Sequence, residues 1–506
     1  MKNMRKIASV LLALVMVFAL AAPVFAAETY SITINNTNGG HTYEAYQIFT
    51  GDLSDGTLSN VQWGSSVTNQ SGDATAIVEK MDTAYTGTDK ITVDALLAMI
   101  TLGEEVASTS TQTDGKYVID GLAPGYYLVK DAYGSLNGTN ESYTEYIIKV
   151  VKDTEAAPKS SVPQVEKKVQ DINDSTDEAF SAWQDSADHD IGDSVPFKLI
   201  ATLANNVSAY SKYKIVFHDT LSAGLTYDDD SVKVYLGEGE DRKEVTSYFT
   251  TSYVEETGKL TISCDNVKAF GATDGSQIVV EYTAELNNKA VLGSTGNPNV
   301  VYLEYSNNPN WDADGDGKPD EPGTPGTPGD ETPEEPTGKT PEDKVIVFTF
   351  KVVVNKVDEN KNSLVGAGFT LFKLDKETGV YEQIGDELTG DQMTQFVWTG
   401  LDDGDYKLVE STTPAGYNTI DDIYFTITAE HVILADNPTL TSLTGGDMFT
   451  GEVSTGTLSG EVINKSGVEL PETGGIGTTM FYIFGAVMVL GAAVLLVTKK
   501  RMSIAE

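Results

Sequence analysis

Toward the C-terminal end of the chain, three polar residues fall where a β-strand should bury apolar ones. Val352, Val354 and Lys356 are in phase, as are Tyr406, Leu408 and Glu410, and Val462 and Asn464. Side chains alternate faces along a strand, so each polar group shares its apolar neighbours' face. Burying a lone ammonium or carboxylate is costly. An amine, an acid and an amide all directed inward are therefore expected to meet. Desolvation would lower the lysine pKa and raise that of the glutamic acid, so that both become neutral. A neutral Lys356 amine can attack the Asn464 carboxamide carbon while Glu410 polarises the carbonyl and shuttles protons. Ammonia leaves and an isopeptide bond remains, with most of the rate supplied by proximity. An earlier stretch repeats the pattern: Val165, Lys167 and Val169 are in phase, as are Ile215, Phe217, Asp219 and Leu221, and Asn299, Val301, Leu303 and Tyr305. Parity favours Lys167 over Lys168, but Asn307 has the parity of Asn299 and stays a rival.

Other reactive constellations are sparse. Asp312, Asp314, Asp316 and Asp320 stand at the first, third, fifth and ninth positions of a loop with Gly317 at the sixth. That is calcium-loop spacing. However, the twelfth position holds Gly323 where a bidentate acid belongs, and flanking helix signals are missing. No cofactor is expected beyond this calcium candidate. The single cysteine, Cys264, excludes an internal disulfide and alternates with Leu260 and Ile262, as a buried core thiol would. No catalytic triad, His/Cys metal cluster or phosphate-cradling loop stands out, so the expectation is no enzyme beyond a single-turnover intramolecular reaction.

The ends of the chain carry signals of their own. Lys2, Arg5 and Lys6 precede an apolar run and the small-residue pattern Val24-Phe25-Ala26, which predicts a signal peptide over 1–26. At the other end, Leu470-Pro471-Glu472-Thr473-Gly474 is followed by an apolar segment, Ile476 to Val497, and by Lys499, Lys500 and Arg501. The segment is long enough to predict a transmembrane helix, and the basic tail places its far end in the cytoplasm. Acidic residues number 75 against 34 basic ones, a net charge of −41. Such a surface repels nucleic acid, which is excluded as a partner.

The elements that must position these groups read mainly as strands. Short alternating runs such as Ser231-Val232-Lys233-Val234-Tyr235-Leu236, rich in Val, Thr and Tyr and punctuated by Gly, Asn and Asp, are the pattern of half-buried antiparallel strands. The clearest helix signals run from Val93 to Leu102 after a possible Thr92 cap, and near Ala74 to Tyr85. The fold class is mainly β: three tandem immunoglobulin-like sandwiches, with short helices in the first. The expected divisions are 27–159, 160–341, 342–466 and a C-terminal 467–506. Within the second, 308–340 is an acidic Pro/Gly-rich stretch that cannot bury a core.

The C-terminal arrangement of pentapeptide, apolar span and basic tail resembles the cell-wall sorting signal read by sortase transpeptidases. The resemblance implies that a sortase cysteine attacks the Thr473 carbonyl, releases Gly474 onward and passes the acyl group to an amine. The segments Lys356-Val357-Asp358, Leu364-Val365-Gly366-Ala367-Gly368-Phe369, Tyr406-Lys407-Leu408-Val409-Glu410, Pro414-Ala415-Gly416-Tyr417 and Val462-Ile463-Asn464-Lys465 resemble the B-type repeat of collagen-adhesin-like and pilin proteins. The stretch 160–341 is similar to the middle domain of backbone pilins. That likeness implies a Lys–Asp–Asn trio, here Lys167, Asp219 and Asn299, with Lys168 and Asn307 as alternatives. Gly121-Leu122-Ala123-Pro124-Gly125-Tyr126-Tyr127-Leu128-Val129-Lys130-Asp131 looks like the glutamate strand of the C-terminal repeat with a different acid, but no inward lysine–asparagine pair accompanies it. Backbone pilins carry a polymerising lysine after alternating valines. Here Ile147-Ile148-Lys149-Val150-Val151 leads to Ala157-Pro158-Lys159, so Lys159 is the candidate and Lys149 and Lys152 are alternatives. The family likeness implies a cell-wall-anchored Gram-positive surface protein polymerised into a pilus and contributing to adhesion. Its partners would be sortase, identical subunits, minor pilins, peptidoglycan and a host surface ligand. The rival expectation is a monomeric wall-anchored adhesin.

Overall fold

The computed structural model describes residues 28–81, 85–158, 160–176, 180–310, 336–467 and 476–502. The expected signal peptide, Lys159, the Asp312–Asp320 loop and the Leu470–Gly474 pentapeptide lie outside the described residues.

Between Tyr30 and Ala156, two sheets stack. One runs in the order Thr154–Ala156, Tyr30–Asn35, Lys116–Leu122, Gln112–Thr113. The other runs Glu145–Val150, Gly125–Asp131, Tyr43–Ser54, Thr57–Trp63. Ile32, Ile34, Tyr43, Tyr117, Tyr127 and Val129 close the core between them. Two short helices, Ala74–Met81 and Val93–Leu97, cover Ile48 and Leu128 on the outer side. Asp73 and Thr92 cap them, accepting from Ala76 N at 2.9 Å and Ala95 N at 3.2 Å. The second helix is shorter than the periodicity predicts. Ile100–Leu102 leaves it as a strand and pairs with Val67–Gln70.

From Gln164 to Phe348 a larger pair of sheets encloses one apolar core. The first sheet centres on Gln164–Val169, Ser194–Thr202 and Gln277–Leu286. The second has the order Ser186–Asp188, Asp343–Phe348, Asn297–Ser306, Ile215–Leu221, Lys259–Cys264, Thr250–Val254. Cys264 is buried and free, in line with the expected core thiol. Strand Asp343–Phe348 falls on the middle side of the boundary expected at 341/342, because it pairs with Asn297–Ser306. Its two faces explain the shift: Val345 and Val347 enter the middle core, whereas Ile346 and Phe348 enter the next one.

From Phe350 onward, a sheet ordered Gln395–Leu401, Phe350–Asp358, Thr457–Asn464, Thr450–Glu452 faces one ordered Val380–Thr389, Gly368–Asp375, Gly404–Thr412, Ile423–His431, Leu440–Thr444. The first and last long strands of this region, Phe350–Asp358 and Thr457–Asn464, lie side by side and parallel. A helix, Ile476–Met502, follows at the C-terminus. Among the described residues, no helix is long and apolar enough to cross a membrane, so the expected transmembrane helix is not supported as a span.

Candidate functional site

Lys167, Asp219 and Asn299 converge in the middle core, each 0 % exposed. Lys167 comes from one sheet. Asp219 and Asn299 come from neighbouring strands of the facing sheet, with Leu221 opposite Asn299 and Asp219 opposite Val301. The Lys167 ammonium donates to Asp219 Oδ1 at 2.6 Å and to the Tyr282 hydroxyl at 3.1 Å. Tyr282 in turn donates to Asp219 Oδ2 at 2.5 Å and accepts from Asn299 Nδ2 at 2.7 Å. The Asn299 carbonyl oxygen is buried without a hydrogen-bond partner. Complete burial pushes the Lys167 amine below its ordinary pKa, against the pull of the Asp219 carboxylate. The Tyr282 ring stacks on Phe197 at 5.4 Å between centroids, and the Lys167 nitrogen lies over both rings.

The rivals go elsewhere. Lys168 faces outward and pairs with Asp185 at 2.5 Å. Asn307 is buried, but its amide donates at 3.1 Å to the Leu136 and Glu141 carbonyls of the first region. Tyr282 was not anticipated from the sequence. The available signal was a hydroxyl-bearing residue in phase with Val280, Ala284 and Leu286.

Lys356, Glu410 and Asn464 also come together, but in a different arrangement. Lys356 and Asn464 sit on the adjacent parallel strands, with Lys356 opposite Val462 and Asp358 opposite Asn464. Glu410 reaches in from the facing sheet. The Lys356 nitrogen donates to the Val462 carbonyl at 2.9 Å and the Val357 carbonyl at 3.3 Å. Glu410 Oε2 accepts from Asn464 Nδ2 at 3.0 Å and from Ile420 N at 3.1 Å. Asn464 Nδ2 also donates to the Asn418 carbonyl at 2.9 Å. Glu410 Oε1 and Asn464 Oδ1 are buried without partners. Burial lowers the Lys356 pKa to about 8, although the nearby Glu410 carboxylate acts to raise it. An amine with that pKa keeps a neutral minority near physiological pH, far larger than an ordinary lysine's, and that fraction can act as a nucleophile.

The first region has the matching acid, and among the described residues its partners include no lysine. Asp131 Oδ1 pairs with His41 at 2.7 Å, and Asp131 Oδ2 accepts from Thr144 N at 2.8 Å. A third buried lysine lies where the middle and C-terminal regions touch. Lys373 contacts Asp174 at 3.0 Å, Asp190 at 2.6 Å and Asp402 more closely still. Burial opposes its charge, but Asp402, Asp190 and Asp174 hold its pKa well above the ordinary lysine range. Beside it, His431 lies 3.2 Å from Asp188 and 3.4 Å from Asp171. The groups Asp171, Asp188 and His431, and Asp174, Asp190, Asp193 and Asp402, are spaced closely enough to hold an ion. In the second group the Lys373 ammonium already supplies the positive charge. Of the alternative polymerising lysines, Lys149 and Lys152 are both exposed, and Lys149 lies over the Tyr126 ring at 5.9 Å.

These are stacked-sheet modules with amine, acid and amide side chains sealed inside. Residues 463–503 match the LPXTG cell wall anchor motif, and residues 350–438 match a prealbumin-like fold domain. The chain is a cell-wall-anchored protein on the outer surface of a Gram-positive bacterium, and a sortase substrate. It resembles Gram-positive backbone pilins in sequence and in fold. It is 25 % identical over 409 residues to the trypsin-resistant surface T6 protein of Streptococcus pyogenes serotype M6, covering 68 % of this chain and 70 % of that one. The solved structure of the T6 backbone pilin, described as a modular three-domain structure, superposes with a TM-score of 0.53 at 18 % identity. That superposition covers 87 % of this chain and 99 % of the pilin. The full-length major pilin SpaD of Corynebacterium diphtheriae gives a TM-score of 0.48 at 18 % identity, over 87 % of this chain and 98 % of SpaD.

Proposed function

We propose that this chain is the structural subunit of a covalently polymerised pilus, built from three tandem sandwich domains, the second and third each locked by one Lys–Asn isopeptide bond. The carrying observation is the pair of buried amine–acid–amide trios in a chain with a wall anchor. In each trio the lysine nitrogen adds to the asparagine Cγ, the Cγ–Nδ2 bond breaks, and ammonia departs. Lys356 joins Asn464 with Glu410 as acid–base catalyst, and Lys167 joins Asn299 with Asp219 in that role. Lys159, at the end of the first domain, resolves the Thr473 acyl-enzyme of the next subunit, so that subunits join head to tail. The adhesive contribution and the minor pilins of the assembly belong to the same reading.

Co-expression with the pilin sortase tests the polymer. The wild type should give a high-molecular-weight ladder that survives boiling in SDS, and Lys159→Ala should abolish it while leaving single subunits anchored. A ladder that persists in Lys159→Ala moves the linkage to another lysine. A wild type without any ladder returns the chain to the monomeric adhesin class. The internal bonds are tested separately by intact mass, each lowering it by one ammonia.

A further inference from the structure

Asp219 and Glu410 do not occupy equivalent positions toward their amides. Glu410 bonds directly to the nitrogen that would leave, Asn464 Nδ2, at 3.0 Å. Asp219 spends its two oxygens on Lys167 at 2.6 Å and Tyr282 at 2.5 Å. Among the described residues, the Tyr282 hydroxyl is the hydrogen-bond partner of the Asn299 side chain, at 2.7 Å from Nδ2. An acid that makes no hydrogen bond to the leaving nitrogen needs an intermediary to deliver its proton, and here one hydroxyl touches the acid, the amide and the amine.

We propose that Tyr282 is a catalytic residue of the middle site, relaying a proton from Asp219 to the departing nitrogen of Asn299; this rests on the Lys167–Asn299 bond put forward above. The reacting state has a neutral Lys167 amine and a protonated Asp219 whose Oδ2–H donates to the tyrosine oxygen. As Nζ bonds to Asn299 Cγ, it gives one proton to Asp219 Oδ1. Asp219 gives its Oδ2 proton to Tyr282, and Tyr282 gives its hydroxyl proton to Nδ2. The Cγ–Nδ2 bond breaks with its electron pair on nitrogen, and ammonia leaves. Nζ loses one proton, Nδ2 gains one, and the acid and the phenol end as they began. Neither the donor direction of the 2.5 Å contact nor the position of its hydrogen is fixed by the heavy atoms, so both states fit one geometry. Burial raises the Tyr282 pKa, which keeps the phenol protonated and suits a group that passes a proton on only as it receives another.

The test is Tyr282→Phe in the full chain, which preserves the ring stacked on Phe197. Newly synthesised chains are sampled over time and digested, and the Lys167–Asn299 and Lys356–Asn464 cross-linked peptides are quantified by mass spectrometry. The middle bond should form about a hundredfold more slowly or worse, the usual cost of losing a positioned proton donor. The C-terminal bond, formed without a tyrosine, should keep its wild-type rate and act as the internal clock. A middle bond that forms at the wild-type rate in Tyr282→Phe overturns the relay. A wild type that never yields the middle cross-linked peptide overturns the bond itself, a separate failure. Should Tyr282→Phe leave the middle region open to protease, 3-fluorotyrosine at position 282 decides, since it keeps the hydroxyl and alters only its acidity. A changed rate for the middle bond alone supports the relay, and an unchanged rate overturns it.

Discussion

The middle and C-terminal trios contain the same functional groups and distribute them differently. In the middle region, the amine lies on one sheet and the amide on the other, so a bond between Lys167 and Asn299 would tie the two faces of a sandwich together. In the C-terminal region, Lys356 and Asn464 lie on adjacent parallel strands, so their bond would staple the region's first long strand to its last. Tension entering at Phe350 and leaving beyond Asn464 would then bypass the intervening strands. The acid also changes sides. Asp219 holds the amine and reaches the amide through Tyr282, whereas Glu410 holds the amide and leaves the amine on backbone carbonyls. What the two arrangements have in common is a lysine whose charge is disfavoured. Lys373 is the counterexample: also buried, but ringed by Asp174, Asp190 and Asp402, it is held as an ammonium and has no nucleophilic lone pair.

The largest effect should come from removing the acid that is paired with its lysine. Asp219→Ala should abolish the middle cross-link and leave the Lys167 amine buried without its counter-charge, costing about 3–5 kcal/mol beyond the lost covalent bond. Glu410→Ala should also abolish its cross-link. Its additional cost should be nearer 1–3 kcal/mol, since it frees Ile420 N and the Asn464 amide but unpairs no ammonium. Urea denaturation in Asn299→Ala and Asn464→Ala backgrounds, where neither bond can form, separates the two contributions. Equal costs would break the distinction between the sites.

A smaller, pH-dependent effect should belong to Lys356. Its folded pKa of about 8 lies below the ordinary 10.5, so the unfolded chain carries the extra proton between those values. Stability of the unlinked Asn464→Ala variant should therefore rise as pH climbs from about 8 to 10.5 and change little below that window on this account. In the unmutated chain, the Lys356–Asn464 bond should form faster as pH passes through about 8, because the neutral amine is the nucleophile. Denaturant midpoints and timed mass spectra measure the two. A bond-forming rate that is flat from neutral to alkaline pH would mean that amine deprotonation does not limit this site.

Strand parity carried the sequence reading a long way, because a buried polar residue in an apolar stripe is visible without knowing its partner. It brought out Lys167, Asp219, Asn299, Lys356, Glu410 and Asn464. Parity fixes a face but not a position along the sheet, and so it could not separate Asn299, within the strand Asn297–Ser306, from Asn307 just past its end. Asn307 faces inward to bind the first region's carbonyls at the far end of that strand. Lys373 is in phase with Phe369 and Leu371, but its partners Asp174 and Asp190 are supplied by two loops of the middle region, which no local pattern links to it. Tyr282 was missed because tyrosine is unremarkable in a core stripe until its hydroxyl is found between two reactive groups. No sharp boundary near residue 341 is legible for a related reason: strand Asp343–Phe348 is apolar on both faces and serves two cores at once.

The smallest effect should come from the first region, where the comparison is sharpest in sequence. Gly121 to Asp131 aligns with Gly400 to Glu410, and both leading glycines take the left-handed backbone at φ 78° and 79° that a side chain would resist. The acid thus stands at the matching position of its strand, but its partner is His41. Burial opposes charge on His41, while Asp131 and Glu141 raise its pKa to about 9 from the ordinary 6.5. A raised histidine stabilises fully below its unfolded value, so the contribution should be complete below about 6.5 and vanish as pH rises through about 9. His41→Gln should accordingly cost about 1.5 kcal/mol at acid pH, the lower end for a bond to a charged group, and much less at alkaline pH. Denaturant melts of the His41→Gln and unmutated chains across that range measure the difference. Because imidazolium has no nucleophilic lone pair, this region should yield no cross-linked peptide at pH values below about 9, where His41 stays charged. One found here would show that burial of an acid in this strand, and not the depressed lysine beside it, is what drives the reaction.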